Sequence, residues 1–114
     1  MYTGKIIDRD GIKDADRIVT NGTGKTLNLQ ASLRVVTHSP TGFCWGSSGS
    51  GPAQLALAIL LDHFNGDKER ALSLYQDFKS KVIAGLPMDN DFVLTDEQVE
   101  SAISLIDIER MKRA

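Results

Sequence analysis

Cysteine is almost missing from this chain. Cys44 is the single one. No intrachain disulfide can form, so the apolar core must hold the fold. A reducing compartment, and with it a cytoplasmic location, is the expectation. Histidine is equally scarce. Two histidines, one cysteine and scattered aspartates show no C-x-x-C or H-x-x-x-H spacing, so neither a metal site nor a cofactor is expected. Asp8-Arg9-Asp10-Gly11 lacks the glycine position and terminal glutamate of a calcium loop. An excess of one charge is missing too. Thirteen Lys+Arg stand against fifteen Asp+Glu, a net charge of −2. That balance argues against direct binding of a nucleic acid duplex and against a strongly acidic mimic. Long apolar runs are also lacking. The longest, Leu55 to Leu61, falls far short of the roughly 20 residues of a membrane span. The opening MYTGKIIDRD carries charges where a signal peptide is apolar. No membrane partner is expected.

What is present suits one small globular domain, residues 1–114. The chain is 41% hydrophobic and 25% charged, ordinary values for a folded domain. Its length supports one core and not two. Residues 1–46 read as strands and turns. Tyr2 to Ile7 is a candidate strand, and Asp8 to Asp16 reads as a polar loop. Arg17 to Thr20 is a second strand, and Asn21-Gly22 is a turn whose residues accept positive φ cheaply. Lys25 to Leu29 and Leu33 to Thr37 are further candidate strands. Ser39-Pro40-Thr41-Gly42 fits a type I turn. In Phe43-Cys44-Trp45, alternation sets both aromatics on one face and Cys44 on the other.

Residues 47–114 read as helical. Pro52 suits a first helical position, with Ser50 or Gly51 as N-cap. The helix it opens is apolar on almost every side, so it should be central. Asn65-Gly66 should end it. Asp67 should cap a second helix, Lys68 to Ala84, with Ala71, Leu74, Tyr75, Phe78 and Val82 on one face. Thr95 with Gln98 has capping-box form and opens a third helix, Asp96 to about Lys112. Its core face is Val99, Ala102, Ile103 and Ile106. A second stripe, Leu105, Ile108 and Met111, either covers the rest of the core or meets a partner chain. The fold expected is α+β: a small, mainly antiparallel sheet packed on three helices, with residues 52–64 at the centre.

No catalytic motif is complete. Gly22-Thr23-Gly24-Lys25-Thr26 ends like a phosphate-binding loop, but Val19 stands where the first glycine belongs. Gly46-Ser47-Ser48-Gly49-Ser50 fails the G-x-S-x-G pattern of a nucleophile elbow. Cys44 with His38 could form a thiol–imidazole pair, although a lone cysteine between aromatics suits burial. An enzyme is therefore the least favoured class.

The Gly/Ser segment before the helix is the unusual feature. A helix start offers unpaired N–H groups and a partial positive charge. Glycines open that backbone to a ligand and serines add donors. The candidate anion site comprises Ser47, Ser48, Gly49, Ser50 and Gly51, with Arg34 and His38 supplying charge. Trp45 would stack on a base, and Gln54 would read the ligand. The competing reading makes the glycines a tight connection, Phe43 and Trp45 core residues, and Gln54 a backbone-bonding group.

HSPTGFCWGSSGSGPAQLALA, His38 to Ala58, resembles the signature of a small uncharacterised family of bacteria and their phages. The matching positions are His38 to Phe43, Trp45, Gly46 and Gly49 to Gln54. Leu74 to Lys79, LYQDFK, is similar as well. The resemblance spans Leu33 to Ile83. The family usually carries an aromatic where Ser47 stands. The resemblance implies no established activity and points mildly to phage or mobile-element biology. Two functions are expected from these observations. The first is a non-enzymatic protein holding a small anion such as a nucleotide. The alternative is a protein-interaction module that inhibits a host enzyme or defence complex, or forms a homo-oligomer.

Overall fold

The architecture follows from one apolar helix that needs cover on every side. In a computed structural model describing residues 1–113, every residue from Pro52 to Leu60 is buried. This helix, α2 (Ser50–His63), is preceded by strands β1 (Tyr2–Arg9) and β2 (Ile12–Thr20) and the short helix α1 (Leu29–Leu33). After it come α3 (Lys68–Lys81), a 3-10 turn at Ile83–Gly85, β3 (Phe92–Leu94) and α4 (Asp96–Arg113). The three strands form an antiparallel sheet in the order β2-β1-β3. The fold is α+β, with α1 an additional helix beside the three expected.

The helical half obeys its local signals. Asp67 caps α3 by accepting from the Arg70 N–H at 3.2 Å. At the start of α4, Gln98 N donates to Thr95 Oγ1 at 3.1 Å and Thr95 N donates to Gln98 Oε1 at 2.8 Å. These are the two halves of a capping box. Asn65 and Gly66 both take positive φ, 52° and 87°, just past the C-cap Phe64, and so terminate α2. Three ion pairs fasten α3 to α4: Arg70–Asp107, Lys81–Glu109 and Arg110–Asp77. Their buried faces, Leu74 and Phe78 against Val99, Ile103 and Ile106, join the core of α2.

The N-terminal region departs from expectation in three places. Asp8 to Asp16 is not a loop. β1 and β2 run through it and meet at Asp10-Gly11, whose φ values of 50° and 77° mark a two-residue hairpin turn. Asp14, at φ 56°, sits where the register shifts, and its N–H donates to Asp8 Oδ1 at 2.7 Å. Lys25 to Leu29 is not a strand. Thr26 makes one isolated bridge to Thr20, after which Asn28 caps α1 by accepting from Ala31 N. Leu33 to Thr37 is the end of that helix and a turn, because the Arg34, Val35 and Val36 N–H groups bond back to Gln30 and Ser32 carbonyls.

Asn21-Gly22 does form a turn, but by a different device. Asn21 Oδ1 accepts from Thr23 N and Lys25 N, and only Gly24 in this stretch needs positive φ. The side chain mimics a backbone turn. Asn21 Nδ2 also donates to Asp62, which accepts in addition from the Tyr2 hydroxyl at 2.8 Å. One carboxylate of α2 thus anchors β1 and the turn after β2. Burial, reinforced by the Asp62 charge, pushes the Tyr2 phenol well above its usual range.

Candidate functional site

The Gly/Ser segment enters α2 one residue earlier than its serines suggested. Helix α2 begins at Ser50 with Gly49 as N-cap and no side-chain cap, so neither Ser50 nor Gly51 is the cap. Pro52 consequently lies inside the first turn, where it still forfeits no helical hydrogen bond. Ser48, Gly49 and Ser50 are exposed, and Ser47 is half-buried. Among the described residues none of these three serine hydroxyls donates a hydrogen bond.

The two glycines flanking the serines have packing reasons. Gly51 lies against Cys44, where a Cβ would sit 2.6 Å from the Cys44 Cβ. Gly46, at φ 85°, presses on Met88, and its N–H donates to the Ile83 carbonyl at 3.0 Å. The segment is therefore a strap drawn tight at both ends, with exposed Ser48 and Gly49 between.

Gln54 is fully buried and fully used. Its Oε1 accepts from His38 N at 2.7 Å and Ser39 N at 3.1 Å. Its Nε2 donates to Ser32 Oγ at 2.8 Å and the Val36 carbonyl at 3.0 Å. The amide has two donor hydrogens and an acceptor oxygen with two lone pairs. All are engaged, so no capacity remains for a ligand. The residue clamps the turn 32–39 onto α2.

Trp45 is likewise internal. It is fully buried, donates Nε1–H to the Asn90 carbonyl at 3.0 Å, and meets Phe92 edge to face at 4.8 Å between ring centroids. Arg17 lies over its other face, 4.7 Å from guanidinium carbon to ring centroid. Stacking of a ligand base on Trp45 is excluded by these contacts. His38 Nε2 shares a 2.8 Å hydrogen bond with the Tyr75 hydroxyl, and the Cys44 thiol bonds to the Trp45 carbonyl. The thiol and imidazole thus have separate partners. Arg34, exposed, is the C-cap of α1. Of the nine residues expected to bind an anion, Ser48, Gly49, Ser50 and Arg34 remain open to solvent.

The second stripe on α4 does not cover the core. Leu105, Ile108 and Met111 are 49%, 45% and 70% exposed. Their spacing sweeps across the helix face opposite Val99, Ile103 and Ile106. Residues of comparable interest that the sequence did not flag are Tyr75, which holds His38, and Arg17, which covers Trp45. Tyr75 was legible as a core position only, and the partner of Arg17 is set by tertiary packing.

No helix among the described residues is long and apolar enough to cross a membrane. No curated protein and no solved structure matches this chain. A family model, DUF6166, matches residues 3–105. That span includes the strap, Gln54 and α4 as far as Leu105, and on it the chain belongs to this family of unknown function.

Proposed function

We propose that this protein is a non-enzymatic interaction module that engages another protein through the outer face of α4. The observation that carries this is the exposure of Leu105, Ile108 and Met111 on a helix already held by its opposite face. Apolar side chains grouped on a polar surface mark contact sites more often than scattered ones do. The occupied amide of Gln54 and the buried indole of Trp45 weigh against the nucleotide reading. In a phage or mobile-element setting, such a module would inhibit a host enzyme or defence complex.

The test is the pair Leu105→Glu and Ile108→Glu in one chain. Affinity capture from host extract and light scattering after gel filtration are run on both proteins. Folded variant that loses a partner or a dimer seen with the parent supports the proposal. Association unchanged by the two charges sinks it.

A second reading keeps the strap as an anion site. The observation favouring it is the fourteen-residue helix α2 opening on Gly49 without a side-chain cap, next to serine hydroxyls that donate no hydrogen bond among the described residues. The ligand would be a small phosphate or carboxylate, since the flanking aromatic is buried. Inorganic phosphate titrated into labelled protein should shift the Ser50 and Gly51 amides, and Ser50→Arg should abolish the shifts. Equal shifts in the variant place the anion elsewhere.

A further inference from the structure

The outer edge of β2 leaves backbone groups unpaired beside a groove. β2 is the marginal strand of the sheet. Along a strand, successive residues turn their N–H and C=O to opposite edges. On the side away from β1, the Val19 carbonyl accepts from Leu27 N at 2.8 Å, and Asn21 N donates to the Lys25 carbonyl at 2.8 Å. The same parity turns the N–H and C=O of Arg17 outward, and the carbonyl of Ala15 with them. The segment that pairs at Thr20↔Thr26 departs into α1, so the ladder stops at Val19. Among the described residues nothing outside the sheet bonds the outward groups of Arg17 or the Ala15 carbonyl.

A cavity of about 360 Å³ follows this edge, between β2 and the stretches 26–29 and 41–43. Leu27, Leu29 and Phe43 give it apolar walls. Arg17 supplies a cation: its side chain shares the core face with Val19, and Nη1 is buried with no hydrogen-bond partner among the described residues. A buried guanidinium N–H without an acceptor is costly. Asp16, next in sequence, does not serve it. That carboxylate lies on the other face of the sheet, paired with Arg9 at 3.0 Å. An unpaired edge, a trough of mixed polar and apolar lining with Asp14 and Asp16 at its strand side, and one guanidinium nitrogen without an acceptor are complementary to one kind of ligand.

We infer that this groove binds an extended peptide segment of a partner protein, which adds as a strand along Ala15 to Ile18. An acidic side chain of that segment reaches Arg17. Main-chain bonds to the edge give affinity in such complexes, and alternate side chains give selectivity. A carboxylate on a guanidinium forms the stronger, charge-assisted type of bond. A second copy of this chain is a poor occupant. Antiparallel pairing of two β2 edges about Ala15 sets Asp14 opposite Asp16. Pairing about Asp16 or Arg17 sets each against itself. Like charges directly opposite are destabilising. The surface is separate from α4, so the two proposals fail independently.

The experiment pans the immobilised full-length protein against a library of short random peptides. The best peptide is synthesised for fluorescence anisotropy and for amide shifts in labelled protein. Enriched peptides should share an Asp or Glu at one position, and should shift the Ala15 and Arg17 amides. Changing that acid to its amide should weaken binding about tenfold, the scale of one charge-assisted bond. Arg17→Met should do the same. A library that yields no binder overturns the inference. So do binders without a fixed acid, or binding indifferent to both the protein variant and the peptide change.

Discussion

Helix α2 and the hairpin of β1 and β2 are held by different forces, and the contrast explains how they respond to change. α2 is buried from Pro52 to Leu60, so it is held by exclusion of water and by the clamp of Gln54. The distal hairpin, residues 7–14, is exposed throughout. β3 supports β1 only at Tyr2, Thr3 and Gly4. Past that point two strands stand alone, joined by their own ladder. An isolated hairpin is marginal in water, so the arm draws its order from the body. The lesson is that the body tolerates little and the arm tolerates much.

The largest effect should come from Gln54→Ala. It strips four hydrogen bonds at once and strands the His38 and Ser39 N–H groups and the Val36 carbonyl. At about 1–3 kcal/mol for each stranded buried group, the total should be about 3 kcal/mol or more. A urea titration should show the midpoint falling with little change in slope. A midpoint within error of the parent would show that water replaces the clamp.

Gly51→Ala should come next. The new Cβ meets the Cys44 Cβ at 2.6 Å, backbone-borne on both sides. Overpacking of this kind costs about 1–3 kcal/mol, read on the same titration. Gly49→Ala, three residues before Pro52 on the exposed crest of the strap, meets only the Ser47 Oγ at an ordinary 3.8 Å and should change little. Equal losses at both glycines would contradict the packing reason given for Gly51.

Gly11→Ala tests the arm. Its Cβ meets no atom, but φ is 77°, so the cost is conformational, about 1 kcal/mol. It should fall on the arm alone. Hydrogen exchange should quicken at residues 6–17 and stay slow in α2. Faster exchange in α2 would mean that the arm and the body unfold as one unit.

The Tyr2 phenol gives a smaller, pH-dependent effect. Its folded pKa is raised above the ordinary 10.0 by burial and by Asp62. Above pH 10 the unfolded chain loses a proton that the folded chain keeps. Stability is thus full below that pH and falls as pH rises, by at most about 1.4 kcal/mol per unit. Tyr2→Phe should flatten this alkaline limb and, by removing the hydrogen bond to Asp62, cost about 1 kcal/mol at neutral pH. An unchanged limb would assign it to other groups.

Much of the body was legible in the sequence because its signals are local. Asp67, Asn65-Gly66 and the pair Thr95 and Gln98 each cap a helix with their own side chains or backbone. Residues 8–16 and 25–37 mislead for two physical reasons. Asp10-Gly11 is a hairpin signal of the same kind as Asn21-Gly22, but the acidic run around it suggested solvent. Leu27, Leu29, Leu33, Val35 and Val36 suit a strand by propensity, yet Asn28 caps a short helix there. Gln54, distant in sequence, fixes the turn that follows. At the candidate site, the Gly/Ser composition marks a loop, and Ser48, Gly49 and Ser50 are exposed on it. Trp45 and Gln54 were open to either reading, because only tertiary contacts reveal which polar atoms are already engaged.

The whole stretch between α1 and α2, the strap included, has little regular structure, and chains of that kind usually absorb added or lost residues without harm. This one should not. Gln54 holds its beginning at His38 and Ser39, Met88 holds Gly46, and Cys44 holds Gly51. A residue inserted between Ser39 and Gly46 would have to bulge against three fixed points. Its length is then as constrained as that of a helix, and tags or fused domains belong at Asp10-Gly11 instead.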